Sequence, residues 1–383
     1  YKRQIMKIVF NRKSLISGLI VGGGYAGSKK ILPILGCAKI TIRGNDCWIM
    51  SYNGKNAIKA KCPVESSEED IVFCIDSIEL RKYISLINDD LIEINIEEGR
   101  TDQNLYKGIA EIKAENGSIK FPLEDAREFP VLKIDTTTES FLFDANMLLY
   151  WIEKSKPFLL EDEFSPNKQC VHIVLSEGIA KVYASEGHNI YYDTYTDIDY
   201  KGECTLSIDK TAFDGLESAL KSIKDKKVKI TNSENNMMFV CGDVMVLIQK
   251  LEKKALPPFD RLINLPDKTC INVDKKALIS ALRRISLLSD NINSVCDVSV
   301  RDNSIYIYAE NIDYNKKAEE LIPFDSDGEV VPITQRFSIS YLSMVVNSIM
   351  CDKVSLCFTG ESTPIKIKNT EYDSELAMTC SFR

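Results

Sequence analysis

The sequence is poor in the side chains that carry most metal and nucleophile chemistry. Only 2 His and 2 Trp occur in 383 residues, and neither His172 nor His188 has a spaced partner that would complete a recognised ligand set. The 12 cysteines include no CxxC pair. In a long chain with no secretory signal they read as reduced, mostly buried thiols. No apolar run approaches the roughly 18 to 20 residues needed to cross a bilayer, and Tyr1 to Phe10 lacks the apolar core of a signal peptide; a cytoplasmic protein away from membranes is expected. The loop Gly27-Ser28-Lys29 is not the Gly-Lys-Ser/Thr of a P-loop. Gly22-Gly23-Gly24-Tyr25-Ala26-Gly27 satisfies GxGxxG, with Asp46 beyond it. That motif needs a strand before and a helix after, whereas here a helix precedes and Pro33 follows too early for a long helix. Acidic pairs such as Glu68-Glu69 and Asp89-Asp90 read as solvated turns. The net charge of −8 excludes a surface that coats nucleic acid all over, but not a local basic lining.

What the sequence does have is an internal repeat. With 44% hydrophobic and 27% charged residues the chain is long enough for two or three globular domains, and three segments each place a short β-type run before a polar cap and a helix. They are Lys7 to Leu19, Phe141 to Ile152 and Ile271 to Leu282, with expected caps Asn11, Asp144 and Asp274 and apolar residues at helical spacing, Leu15 with Leu19, Leu148 with Ile152, Leu278 with Leu282. A hairpin follows each time, around Gly44-Asn45, Glu177-Gly178 and Asp302-Asn303. A second strand-to-helix unit then recurs with expected caps Asp76, Asp209 and Ser340. Offsets stay between 130 and 133 residues. The pattern predicts an α+β protein of three tandem repeats, each a two-helix, sheet-backed domain: residues 1–135, 136–266 and 267–383.

Four stretches carry a resemblance on top of this pattern: Ile31-Leu32-Pro33-Ile34-Leu35-Gly36, Ala184-Ser185-Glu186-Gly187-His188, Phe259-Asp260-Arg261-Leu262 and Phe337-Ser338-Ile339-Ser340-Tyr341. Together they resemble the bacterial β sliding clamp family, the DNA polymerase III beta subunit, over essentially the whole chain from Met6, which leaves Tyr1 to Ile5 as an extension. The resemblance implies the DNA clamp fold. It implies a homodimeric six-domain ring, closed head to tail, that encircles double-stranded DNA without reading its sequence, a non-catalytic processivity subunit with no cofactor or metal. The implied protein partners are the replicative DNA polymerase, the clamp loader and repair proteins, which bind through short linear motifs.

By the same resemblance the motif pocket has one wall at Ser185, Gly187, His188, Asn189 and Ile190 and another at Pro257, Arg261 and Leu262. Ser338, Tyr341, Ser362 and Pro364, with Ala377, Met378, Thr379 and Cys380, complete it. Asn189 stands where the family commonly has Arg, and Thr379 and Cys380 depart from its apolar C-terminal run. His188 otherwise reads as a turn histidine and Tyr341 as ordinary core. Cations in or beside the expected helices, Arg12, Lys13, Arg81, Lys82, Lys154, Lys156, Lys210, Lys221, Arg283 and Arg284, are expected to face DNA phosphates; for any one of them an ordinary solvated helix face is the plain alternative. Lys29 matches a basic DNA-contacting position of the family. Ile119 and Phe121 against Leu287 and Leu288 are the implied dimer joint, with intradomain core as the other reading. A repeat-built scaffold that binds proteins but never DNA shares most of this evidence.

Overall fold

The computed structural model describes residues 5–27, 32–97, 105–106, 108–114, 117–132, 138, 140–160, 168–223, 226–250, 257–287, 294–311 and 315–382. It is a mixed α/β structure, strand-rich, with seven α-helices among the described residues: α1 Arg12–Gly22, α2 Ser77–Leu86, α3 Ala145–Ser155, α4 Phe213–Ser222, α5 Phe259–Ile263, α6 Lys275–Ser286 and α7 Ile339–Ser348. The chain divides into two compact units, Tyr1–Leu149 with Thr211–Leu251, and Tyr150–Lys210 with Glu252–Arg383. These units and the sequence repeats are different divisions, since residues 136–266 give strands to both.

The first unit holds a five-stranded sheet and a nine-stranded sheet. In the former, Ile5–Asn11 turns Met6, Ile8 and Phe10 inward on alternate positions and pairs antiparallel with Leu91–Glu97, Ile8 opposite Ile94. Helix α1 adds Leu15 and Leu19, one turn apart and fully buried, each worth about 1.5–3 kcal/mol of burial. The second unit holds an eight-stranded and a four-stranded sheet. Its larger sheet runs Cys204–Asp209, Cys170–Ser176, Ile179–Ser185, Asn189–Tyr195, Leu376–Thr379, Ile365–Asn369, Lys353–Phe358, Thr269–Asp274. The large sheet of the first unit has the same order: Ile71–Asp76, Cys37–Arg43, Asp46–Tyr52, Asn56–Lys61, Val244–Gln249, Asn236–Cys241, Lys227–Asn232, Ser140–Asp144, with Leu105–Tyr106 added in parallel beside Ile71–Asp76.

Four of the six expected caps form. Asn11, Asp76, Asp144 and Asp274 accept from the amides of Ser14, Glu79, Met147 and Ala277 at 3.2, 2.7, 2.9 and 2.7 Å. Asp209 instead precedes a 3₁₀ turn, Lys210–Ala212, and α4 starts from Ala212. At α7 the cap is Ser338, not Ser340, accepting from Tyr341 N at 3.4 Å. The glycine run closes α1: a Cβ at Gly22 would lie 2.5 Å from the Ile49 carbonyl oxygen, and one at Gly23 would strike Ser77 Oγ. These glycines therefore let a helix end lie on a strand, which is packing and not nucleotide chemistry.

The expectation of uniformly reduced cysteines is corrected at one place. Cys270 and Cys357 face each other across Thr269–Asp274 and Lys353–Phe358, with Cα atoms 4.2 Å apart, and are disulfide-bonded. Their separation of 87 residues hid the pairing, which only strand register creates. Asp267 lies near those sulfurs, but its carboxylate is held by Lys366 and Lys368 at 2.9 and 2.5 Å. Among the described residues no helix is long and apolar enough to cross a membrane.

Candidate functional site

An opening in the second unit forms where Asn189–Tyr195 lies beside Leu376–Thr379. Ile190 stands opposite Met378, and Asn189 opposite Thr379. Over this strand pair the chain leaves Pro257 and Pro258 and turns into α5. Phe259 is drawn onto the sheet, stacking on Tyr183 with ring centroids 5.5 Å apart and planes 16° apart. The Tyr183 hydroxyl donates to Asp260 Oδ1 at 3.0 Å, and burial together with Asp260 pushes that phenol's pKa up. Tyr183, Ile190, Phe259, Ile263, Leu376 and Met378 form one apolar cluster. On it opens a cavity of about 390 Å³, walled by Ile190, Phe259 and Leu262, with Lys168 and Arg261 bringing charge to its lining. A concave apolar surface with a few polar groups is suited to hold two or three apolar side chains of a short extended segment.

The turn from Ser185 to Asn189 is fixed by its own hydrogen bonds. Ser185 Oγ donates to Asn189 O at 2.7 Å and accepts from Gly187 N at 3.1 Å. The Glu186 carboxylate accepts from the amides of His188 and Asn189 at 2.5 and 3.1 Å and from the Asn189 side chain. Gly187, at φ +108°, sits in a region side chains rarely adopt, and Lys168 covers it.

Of the sequence-selected pocket residues, Ser185, Gly187, Ile190, Pro257, Arg261 and Leu262 line this cavity. Met378 is fully buried in the apolar cluster that floors it, while Ala377 and Thr379, one residue to either side, are buried on the opposite face of the sheet. Asn189 is also buried, its amide turned to Glu186 and away from the opening. The rings of His188 and Tyr341 lie with centroids 5.3 Å apart and planes tilted by 30°, with Phe382 6.5 Å from Tyr341. They make an aromatic patch with Ser338, which caps α7, while Cys380 N donates to His188 O at 3.0 Å. Ser362 is exposed and Pro364 half-buried, and neither lines the cavity. Sequence reasoning missed Lys168, Pro258 and Phe259. The aromatic next to two prolines was the available signal for the last two; Lys168 had none.

The selected cations separate into two groups. Lys13, Lys82 and Arg283 are exposed, Arg12 and Arg81 half-buried. Arg284 is exposed but bound bidentately to Glu320, both contacts 2.6 Å, and Lys221 lies 3.7 Å from Glu217. Lys210 Nζ donates to Leu159 O at 3.1 Å, and Lys156 is half-buried. Lys154 is a correction: its side chain is only 11% exposed, and its ammonium binds Glu375 Oε1 at 2.8 Å and Ser348 O at 2.5 Å, so it faces inward. Lys29 and Leu288 lie outside the described residues. At the expected joint, Gly117–Pro122 is an edge strand and Leu287 is 80% exposed. Phe121, however, is core, edge-to-face with Tyr83 at 6.1 Å, and Ile119 packs against the same core. Strand alternation puts both on the inward face.

One buried acid, on the sheet face opposite the groove, makes a test of the strand that carries Ile190. Asp193 lies in a site where burial, and the charge of Glu375, push its pKa up to about 6, although Tyr195 and Tyr191 donate to its Oδ2 at 2.7 and 3.2 Å. A raised carboxyl pKa means the native state holds more protons than the unfolded chain between pH ~4 and ~6, so this group's contribution falls as pH rises through that window and is flat above it. Asp193→Asn should therefore gain stability relative to wild type across that window, by up to about 3 kcal/mol. Urea unfolding of both proteins at several pH values measures the difference; a pH-independent difference would refute it.

The family model of the DNA polymerase III beta subunit, C-terminal domain, matches residues 261–380. The beta sliding clamp of Rickettsia felis is 20% identical over 387 residues, covering 97% of this chain and 98% of its own; that of Haemophilus influenzae is 21% identical over 382 residues, covering 96% and 97%. Among solved structures, the DNA polymerase III beta subunit of Thermotoga maritima superposes with a TM-score of 0.89 at 17% identity, covering 99% of each chain. The DNA polymerase sliding clamp of Bacillus subtilis gives 0.86 at 19% identity, over 99% and 100%.

Proposed function

We infer that a chain which resembles the bacterial β sliding clamps from end to end, and has their fold, is itself a DNA sliding clamp. Two copies close head to tail into a ring of six clamp domains, residues 1–135, 136–266 and 267–383 of each, around duplex DNA. The ring catalyses nothing. In the cytoplasm it tethers the replicative polymerase, and in turn the clamp loader and repair proteins, by short apolar motifs that enter the groove between Ile190 and Leu262. The observation that carries this reading is the match of the fold over 99% of the chain together with an apolar groove at Ile190, Phe259 and Leu262.

The physics suits sliding. A ring that moves along DNA must avoid a deep energy minimum at any base, so it holds phosphates with long flexible cations and leaves base edges alone. Lys13, Lys82, Arg81 and Arg283 are the side chains available for this. The net charge of −8 keeps the rest of the surface from binding DNA non-specifically. Gly117–Pro122, an edge strand among the described residues, gives the joint backbone groups that a second subunit would satisfy. A scaffold that never meets DNA is the less favoured alternative.

Topology supplies the test. The protein is loaded onto nicked circular DNA by a bacterial clamp loader with ATP, and half the sample is then linearised. At about 0.5 M NaCl, where simple phosphate contacts fail, the protein should elute with the circles and be lost at least tenfold from the linear DNA. Equal release from both would overturn the reading.

A further inference from the structure

The larger sheets of the two units place the same cross-strand row at the same point. In the second unit the row is His172, Tyr183, Tyr192 and Leu376, each residue paired with the next across adjacent strands. In the first unit it is Lys39, Met50, Lys59 and Met245, likewise paired. The first three positions differ by 133 residues and the last by 131. The next row repeats too: Ser185, Ile190 and Met378 correspond to Tyr52, Ala57 and Leu247. An exit segment lies over each row. Phe259 packs on Tyr183, and Phe129, 130 residues earlier, is buried in a cluster with Met50 and Tyr52. By the same offset Val131 and Leu132 stand where Arg261 and Leu262 stand. A second cavity, of about 300 Å³, opens here; its lining includes Met50, Phe129, Val131, Leu132 and Met245.

The chemistry of this second groove is its own. Val131 is 92% exposed although it is apolar, so its side chain is offered to solvent beside the cavity. Met50 and Met245 give a floor that adapts to differently shaped side chains. Two ammonium groups flank it, Lys39 Nζ 5.2 Å from the Phe129 ring and Lys59 Nζ 4.4 Å from the Trp48 ring. Neither has a carboxylate partner among the described residues. The equivalent positions in the first groove are His172 and Tyr192, so these two ammonium groups belong to this groove and not to the repeat, while the first groove takes its charge from Lys168 and Arg261.

We propose that the groove at Met50, Phe129 and Leu132 is a second docking site, for a short extended peptide that presents apolar side chains flanked by carboxylates. The apolar side chains enter the cavity, and the carboxylates meet Lys39 and Lys59. The site would let one subunit hold two partners of different motif chemistry at once. It does not depend on the first groove being a motif pocket.

Fluorescence polarisation of a labelled peptide Ser-Asp-Leu-Asp-Leu-Phe on the full chain tests this, beside its analogue with Asn for each Asp. The first groove is blocked with Leu262→Asp so that only the second can answer. Saturable binding is expected to persist in that variant, to weaken at least tenfold with added Val131→Asp or with Lys39→Gln and Lys59→Gln together, and to be at least fivefold weaker for the Asn analogue. Val131 is exposed, so its substitution leaves the fold intact; circular dichroism checks this. Binding lost with Leu262→Asp alone, or unchanged by the Val131 and lysine substitutions, overturns the proposal. So does a labelled 20-base-pair duplex whose binding falls with the lysine substitutions while the peptide's does not, since the face would then serve DNA. A parallel titration with a Gln-Leu-Ser-Leu-Phe peptide on wild type reports on the first groove separately.

Discussion

Glu375→Ala is expected to destabilise the protein by about 3–5 kcal/mol, the cost of stranding a buried charge. Glu375 and Lys154 are both withdrawn from water, with side chains 5% and 11% exposed. The carboxylate takes Lys154 Nζ at 2.8 Å on one oxygen and Asn369 Nδ2 at 2.8 Å on the other. Truncation removes both acceptors and leaves the ammonium with the Ser348 carbonyl and the face of the Tyr150 ring, 5.5 Å away. Glu375→Gln keeps the shape and an acceptor but not the charge, so it should fall between wild type and alanine. The double change Lys154→Met, Glu375→Leu removes both charges and should recover most of the loss, because a buried pair returns little more than its own desolvation. Urea unfolding of the four proteins decides. A loss below about 1 kcal/mol for Glu375→Ala would mean the pair is solvated. The residue matters beyond stability because it leads directly into Leu376–Thr379, the strand that floors the groove.

The second large effect separates the groove's floor from its wall. Met378→Ala should cost about 2–5 kcal/mol, since Met378 is fully buried under Ile190 and Phe259 and its removal leaves a cavity. It should also weaken a labelled Gln-Leu-Ser-Leu-Phe peptide in fluorescence polarisation, because the loss leaves a void in the apolar cluster under the proposed motif site. Leu262→Ala acts differently. Leu262 is 37% exposed, so its loss should change stability by no more than about 0.5 kcal/mol while weakening the peptide about tenfold, near 1.4 kcal/mol. If Met378→Ala left both quantities unchanged, neither the floor nor the groove would be as described.

What could be read from the sequence was what is local. Asn11, Asp76, Asp144 and Asp274 cap helices because capping involves residues three apart. Asp209 failed because a 3₁₀ turn intervenes, and Ser340 because Ser338, two residues earlier, has the same hydroxyl. The repeat showed because its offsets are nearly constant, and the groove's Ile190 and Leu262 came from the family resemblance. Contacts distant in sequence stayed hidden. Lys154 looked like a free cation since its partner is 221 residues away. The family resemblance puts Phe121 at the joint, but strand alternation turns it inward, onto Tyr83. The Cys270 to Cys357 bond follows from strand register, which no spacing rule states.

The order of strands in the two large sheets limits how this chain can be divided. Val244–Gln249 bonds along Asn56–Lys61, and Asn189–Tyr195 along Leu376–Thr379, so residues 136–266 supply a neighbour to strands on either side of them in sequence. Excising that stretch, or exchanging it for one of poorer fit, would bare the edges of Asn56–Lys61 and Leu376–Thr379 at once, each a template for stray pairing with another chain. A fragment cut at either repeat boundary would be an aggregation hazard and not a smaller working part.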